Sequence, residues 1–461
     1  MNFVLKIKSF FTGLSFSAKA LLFCFLIIWW FNFNIKRWKN LTTISYDVVS
    51  YYAYLPAVFV HNDLTLQFVN TDGIDYRGKS QFWPIEIENG SLVIKTTMGL
   101  SFLYLPFFLI AHGIAWIYGF PIDGFSYPYH KYIHLSGVIY FFIGLFYLRK
   151  LLLRYFNDKA VGYSILLLVF GTTFFYYSTH EAALSHLYNF SLSVIFIYTY
   201  DLFIDKPHFL KSIIIGLVFG LMILIRPVNI LFGLFFMLYR VYKFYDLKER
   251  MMLVFNSWPL FLTMVVLSVL VQIPQLLYWK YLTGHYFFNS YVGEWFYFNK
   301  PHIAEVLFSY RKGWLLYTPI MIFAIVGFII PASKPHRFSV FIFFIVFLYV
   351  ISSWWCWWYG GCFGMRPMMD IYSVLALPFT AFIVFVQQQK QLFKKLLTAL
   401  IVLACLESIH NYKKYRSGAI HWDSMTKEAY WDSFFRMDKS ADFQLLIKAP
   451  DYEKARLSGS E

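Results

Sequence analysis

Eleven apolar runs set the terms on which this chain can fold: Leu21 to Phe33, Leu100 to Tyr118, Leu135 to Tyr147, Val161 to Tyr177, Leu187 to Phe203, Ser212 to Leu238, Leu260 to Leu277, Leu315 to Ile330, Phe338 to Trp355, Tyr372 to Val386 and Leu396 to Leu406. A helix that crosses a bilayer needs about 20 apolar residues. A chain of 461 residues with only 14% charged side chains is far below the roughly 25% of a soluble domain. It cannot cover itself with polar surface in water. The expected class is an all-α polytopic membrane protein of 11 to 13 transmembrane helices, and its first partner is the lipid bilayer.

The net charge of +15, from 40 basic and 25 acidic residues, fits basic loops and contact with anionic headgroups. Nucleic acid is not an expected partner. Cys24, Cys356, Cys362 and Cys405 lie in or beside apolar stretches and read as buried thiols, with a Cys356–Cys362 disulfide as the alternative. The N-terminal run follows Lys6, Lys8 and Lys19 and has no small-residue cleavage site after it, so it reads as a signal anchor with a cytoplasmic N-terminus.

Three stretches are too polar for hydrocarbon: Lys36 to Thr97, Tyr281 to Gly313, and everything after His410. The expected organisation is a transmembrane domain over 1–410, with external loops at 36–97, 281–313 and 357–370, and a short extracytoplasmic cap over 411–461. Simple alternation places the basic link Arg149, Lys150, Arg154 and Lys159 outside, against the positive-inside tendency. A re-entrant or half-length early element would explain this, as would a broken hairpin around Arg226.

The first loop should be structured. In SYDVVSYYAYLPAVF, helical spacing puts Asp47, Ser50, Tyr51 and Tyr54 on one face, which suits a helix in the headgroup region. PIEIE and SLVIK alternate around Asn89 and Gly90 and predict a small β-hairpin with a type I′ turn.

No phosphate-binding loop, dinucleotide fingerprint, zinc motif or nucleophile elbow is present. Instead, polar residues gather at span ends, where they are costly unless paired or used. Asp47 is placed to act as a general base or metal ligand, or to be a solvated helix-end acid. Lys95 can hold a phosphate or snorkel to the interface. His180, Glu181 and His186 in THEAALSH line a polar pocket or supply part of a metal site. Arg226 with Pro227 breaks an apolar run and needs an anion, a carbonyl or a water-filled cavity. Glu294 lies among aromatics, and Arg311 and Lys312 flank a span. Arg366 and Asp370 follow three glycines and four tryptophans in WWCWWYGGCFGMRPMMD.

In order, SYDVVSYYAYLP, KTTMGLSFLYLPF, LIRPVN, PHIAEVLFSYRKGWLLYTP and WWYGGCFGMRPMMD resemble the GT-C class of polytopic glycosyltransferases. The resemblance is to bacterial families related to the protein O-mannosyltransferases and the lipid A aminoarabinose transferases, and it covers most of the chain. It implies a polyprenyl-phosphate-linked sugar donor, a lipid, glycan or protein acceptor, and a bacterial inner-membrane location with the active site facing the periplasm. It also implies an acid in the first external loop, which Asp47 matches. Lys95, Arg226, Arg311 and Arg366 are then candidates for the donor phosphate, and Tyr51, His180, Glu181, His186, Glu294 and Asp370 for the substrate pocket. A divalent metal, Mg or Mn, is left open, because Tyr46 and Val48 flank Asp47 where the family often has DE or DxD. The competing class is a transporter or flippase.

Overall fold

The computed structural model describes residues 13–71, 81–88, 90–242 and 244–461. The proposed signal-anchor flank, with Lys6 and Lys8, lies outside them. The described chain is mostly helical, with one two-stranded sheet.

Each apolar run becomes helical, but fewer can cross alone than the 11 to 13 expected. Six described helices are long and apolar enough to span a membrane, or seven if the bent pair Asp158–Phe170 and Phe174–His180 is one span. The difference has local causes. The Ser212 to Leu238 run divides at Arg226 into Phe209–Ile225 and a segment from Pro227 to Leu238, and the Leu315 to Ile330 run is cut by Pro319 into short pieces. Phe338 to Trp355 lies mainly in Arg337–Ser352, a helix of only 16 residues, and Leu396 to Leu406 lies in Gln391–Ser417, whose ends carry many charges.

Helix α1 (Phe16–Ile35) is capped by Ser15, whose hydroxyl accepts from the Ala18 amide, and it ends where Lys36 turns left-handed at φ 48°. Arg149 donates to Ser17 Oγ at 2.7 Å and Ser15 Oγ at 2.9 Å, and Asp158 accepts from the Ser17 amide. The basic link therefore sits at the end of the molecule where α1 begins, not the end where α1 finishes. Helix α2 (Gly99–Tyr118) explains the parity. Its start lies against Leu224 and Ile225, where a Cβ on Gly99 would be 2.5 Å from the Ile225 nitrogen. Its other end lies against the start of α3 (Tyr127–Leu152), with His112 Nδ1 and Tyr129 Oη 2.9 Å apart. The start of α3 packs on the exit of α1, through Trp38 Nε1 to Tyr127 Oη at 3.2 Å. Both ends of α2 thus belong to one end of the bundle, and α3 carries the chain back.

The Arg226 break is the tip of a second excursion. Helix α4 (Ser185–Asp205) finishes at Asp201 and Asp205, which Arg154 and Arg240 bind together. Helix α5 (Phe209–Ile225) leaves that cluster, and the segment after Arg226 returns to it, where Tyr239 Oη reaches Asp201 at 2.9 Å. The bundle therefore has an Arg154 end and an Asp47 end. The loops 36–97 and 281–313 lie at the latter, joined by Ser290 Oγ donating to the Lys95 carbonyl at 2.5 Å.

Residue size and polarity decide which helices sit centrally. The best apolar window of α4 is 78% buried and that of the segment Arg366–Gln388 is 94%, against 17% for Trp258–Thr283, which turns its apolar face outward. The central helices hold polar pairs, Ser193 with Ser373 at 2.8 Å and Asn189 with Asn229 at 2.7 and 3.1 Å, as expected where lipid gives helices no hydrophobic reason to associate. Gly137 allows the closest approach: a Cβ there would stand 1.7 Å from the Ala182 carbonyl oxygen.

In the first loop, the expected interfacial helix is two short ones, Asp47–Tyr52 and Tyr54–Phe59, largely buried against the rest of the protein, with Val58 and Phe59 exposed. Tyr52 Oη donates to the Gly124 carbonyl at 2.5 Å and Tyr54 Oη to the Thr96 carbonyl at 2.6 Å. The hairpin forms, with Ile85 opposite Val93 and Glu86 opposite Leu92. Its turn is not the expected type I′. The Gly90 amide donates to the Ile87 carbonyl at 2.8 Å, which closes the turn one residue earlier and leaves Gly90, at φ 79°, as a bulge; Asn89 lies outside the described residues. All four cysteines are free thiols. The tail folds back on the Asp47 end through Tyr297 Oη to the Arg456 carbonyl at 2.6 Å and His302 Nε2 to the Gly459 carbonyl at 2.7 Å.

Candidate active site

The site is assembled from three parts of the chain that sequence order keeps far apart. Asp47 opens its short helix after Tyr46, which holds φ 54° and ψ −127°, a conformation that non-glycine residues rarely adopt and one associated with functional positions. This turn aims the half-exposed Asp47 carboxylate at Arg366, whose Nη2 lies 2.7 Å from Asp47 Oδ2. Arg366 begins the 3-10 turn Arg366–Ile371, with Pro367 at its first position fixing the local φ.

Four residues on in the same turn, Asp370 is fully buried. Its Oδ1 is 2.9 Å from His186 Nδ1, and its Oδ2 is 3.5 Å from Arg226 Nε, an ion pair longer than a good hydrogen bond. Arg226 Nη1 lies 3.2 Å from both ring nitrogens of His186 and so faces the ring broadside. Asn229, one turn beyond Arg226, bonds Asn189, one turn beyond His186, and its Nδ2 also donates to the Met222 carbonyl at 2.7 Å. The break in the apolar run is therefore closed by side chains on α4.

Tyr51 lines the same space one turn after Asp47, and Ser101 Oγ donates to its carbonyl. Burial pushes the Tyr51 phenol up, so it stays a protonated donor. Burial also acts to raise Asp47, but the Arg366 guanidinium, with His186 and Arg226 behind it, outweighs that and holds the carboxyl below the usual aspartate range. Asp47 is thus a carboxylate at neutral pH.

Lys95 and Glu294 form an ion pair at the side of this space. The Lys95 ammonium sits 5.0 Å from the centre of the Tyr291 ring, and Glu294 Oε2 accepts from Trp355 Nε1 at 3.2 Å. Glu181 accepts from Tyr176 Oη at 2.7 Å and feels the charges of Arg366 and Asp47.

Of the residues singled out in the sequence, Asp47, Tyr51, Glu181, His186, Arg226, Arg366 and Asp370 converge, with Lys95 and Glu294 alongside. Arg311 does not join them. Its guanidinium binds the Glu461 side chain and lies 5.4 Å from the Trp358 ring, so the chain's own tail occupies the cation expected to hold a phosphate. His180 also stands apart, stacked 5.1 Å from Tyr176 and bonded to Thr179 Oγ1 at 2.8 Å. Lys312, next to Arg311, is buried and donates to the carbonyls of Cys362 and Trp422, which ties the glycine loop to the tail.

Sequence reasoning passed over Tyr291, Asn189 and Asn229. The two asparagines had a signal, since each lies three residues after a singled-out residue inside an apolar run. Tyr291 had none, because its place depends on how the 281–313 loop folds back on Lys95.

The residues do not compose a divalent-metal site. Among the described residues no three His, Cys, Asp or Glu side chains are grouped to hold an ion, and Asp47, Glu181 and Asp370 are each engaged by an arginine, a phenol or an imidazole. What the arrangement offers is one accessible carboxylate beside two guanidiniums at one end of an apolar helical bundle. Comparison of the chain with protein-family models, with curated proteins and with solved structures gives no match.

Proposed function

We propose that this protein is a membrane glycosyltransferase that moves a sugar from a polyprenyl-phosphate-linked donor to a lipid, glycan or protein acceptor at the Asp47 end of the bundle. The observation that carries this reading is the meeting of Asp47 with Arg366, 2.7 Å apart, and of Arg226 behind them. A prenyl-phosphate sugar is already activated and is held in the membrane by its own chain. The protein must supply a base for the acceptor hydroxyl and cations for the departing phosphate.

In this reaction Asp47 takes the proton of the acceptor hydroxyl as its oxygen attacks the anomeric carbon. The bond from that carbon to the phosphate oxygen breaks, and the phosphate leaves with the electron pair. Arg366 and Arg226 hold that charge, with Lys95 at the side. Direct displacement inverts the anomeric centre.

The orientation follows the charge. The short links at the Arg154 end carry Arg149, Lys150, Arg154, Lys159, Lys206, Lys211, Arg240 and Lys248, whereas the basic residues of the Asp47 end lie mostly in the long loops 36–97 and 281–313 and in the tail; the positive-inside tendency, which counts short links, favours the Arg154 end as cytoplasmic. The Asp47 centre then faces the extracytoplasmic side, the periplasm in a bacterial inner membrane.

The purified protein, incubated with labelled polyprenyl-phosphate sugars and membrane extract, should move label to an acceptor. Unchanged transfer by Asp47→Asn would remove Asp47 as the base. A second reading, a transporter, is favoured by one feature: Arg226 stands at the tip of two half-helices, as at many transport sites. Movement of a lipid-linked sugar across a proteoliposome membrane with no new covalent product would select it.

A further inference from the structure

The same end of the molecule carries two guanidiniums, Arg37 and Arg416, that form no ion pair among the described residues. Arg37 follows the exit of α1, and its Nε is buried with no hydrogen-bond partner. Arg416, in the last turn of Gln391–Ser417, is exposed and makes no ion pair among the described residues. His180 is 3% exposed; its Nδ1 meets Thr179, and its Nε2 is buried without a partner.

Contacts of neighbouring residues bring these three to one region. Tyr412, one turn before Arg416, has its ring 5.7 Å from that of His180. Trp38, next to Arg37, lies 5.4 Å from the His134 ring. His134 Nε2 and Asn32 Oδ1 are 2.6 Å apart, and Asn32 Nδ2 donates at 2.9 Å to the carbonyl of Ser178, two residues before His180. Both arginines act electrostatically on His180, and Arg37 acts on Glu181.

A buried imidazole nitrogen without a partner is costly, and so is a buried guanidinium nitrogen. An anion bound here removes both costs. Guanidinium forks match the oxygens of a phosphate, and the place of Arg37 just past the first span is the depth of a lipid headgroup.

We propose that Arg37, His180 and Arg416 form a second anion subsite, separate from the Arg226 and Arg366 pair, that takes the phosphate of a lipid headgroup. The binding stands independently of the transferase reading. A phosphate-bearing lipid bound here as acceptor, its hydroxyl directed past Glu181 to Asp47, rests on that reading.

The test uses the purified, delipidated full chain titrated with phosphatidic acid, phosphatidylcholine and inorganic phosphate, with bound lipid counted by native mass spectrometry. Phosphatidic acid should bind more tightly than phosphatidylcholine. The Arg37→Gln/Arg416→Gln variant should bind phosphatidic acid about tenfold or more weakly, Arg37→Lys/Arg416→Lys should retain much of the affinity, and Arg311→Gln, whose guanidinium is held by Glu461, should leave it unchanged. Competition by inorganic phosphate assigns recognition to the phosphate alone; lack of competition assigns it to phosphate carried on a lipid. Equal affinity in the wild type and in a glutamine variant with the wild-type elution volume overturns the proposal. So does loss of binding in Arg366→Gln alone, which places the anion at the Asp47 centre. Sugar transfer is read in a separate assay, so failure of the transferase reading leaves this result intact.

Discussion

Asp47 Oδ2 and Arg366 Nη2 lie 2.7 Å apart, so the acid that would activate an acceptor is held by a cation that would hold the donor phosphate. The two roles are coupled. In the proposed reaction a phosphate that engages Arg366 would compete with Asp47 for it and release the carboxylate for proton transfer, so that donor binding and activation of the base would be one event.

Asp47→Asn should separate the two roles. Loss of a general base lowers turnover by about 10²- to 10⁴-fold. The same change removes the competitor for Arg366, so the variant should bind polyprenyl phosphate more tightly than the wild type. A fluorescence titration beside a transfer assay checks both, and weaker binding by the variant would contradict the competition.

Arg366→Gln should move the acid limb of the pH–rate profile. With Arg366 present, the Asp47 carboxyl titrates below its ordinary range, so the base is available at neutral pH and is lost only as pH falls through that depressed value. Without Arg366 the main charge opposing burial is gone and the carboxyl titrates higher than in the wild type, so activity should fall at a higher pH. The ion pair's contribution to stability follows the same sign: present above the unfolded aspartate pKa, and lost as pH falls through the folded one. A limb that stays in place in the variant would show that another group titrates there.

Asp370→Asn leaves the Arg226 charge next to His186 without its carboxylate. Breaking a buried pair by removing one partner costs about 3–5 kcal/mol, so the unfolding midpoint in detergent should drop clearly. The double variant Asp370→Asn/Arg226→Gln should recover part of the loss, because no buried charge is left unmatched. A double variant as unstable as the sum of the single ones would argue against direct coupling.

Gly137→Ala tests the closest helix contact. The added methyl would stand 1.7 Å from the Ala182 carbonyl oxygen, so α3 must shift against the Ala182–Leu184 turn that leads into α4. Overpacking of this kind costs typically about 1–3 kcal/mol. Thermal unfolding of the purified variant reads it, and an unchanged midpoint would mean that the helices separate freely there.

Much of the candidate site was legible before any fold was known, because its members break local rules. Asp47, Arg226, Arg366 and Asp370 are charges at the ends or in the middle of apolar runs, and that cost is visible residue by residue. Pro227 likewise announced a helix break that the structure has. Arg311 met the same local criterion but lies apart from the Asp47 centre, paired with Glu461 of the tail. No local pattern foretells which end of a chain returns to which loop.

The sequence by itself determined that this is a mostly helical chain with runs long and apolar enough to cross a membrane, since apolarity and helical hydrogen bonding are properties of each run alone. It could not determine which runs cross. Gly99–Tyr118 is long and apolar enough, yet both its ends belong to the Asp47 end, and the two segments joined at Arg226 both return to the Arg154 end. Those outcomes rest on contacts between distant residues: Arg149 with Ser17, Tyr239 with Asp201, Asp47 with Arg366. Only the tertiary structure decided them, because an ion pair or a close helix contact exists only once both partners have been brought to the same place.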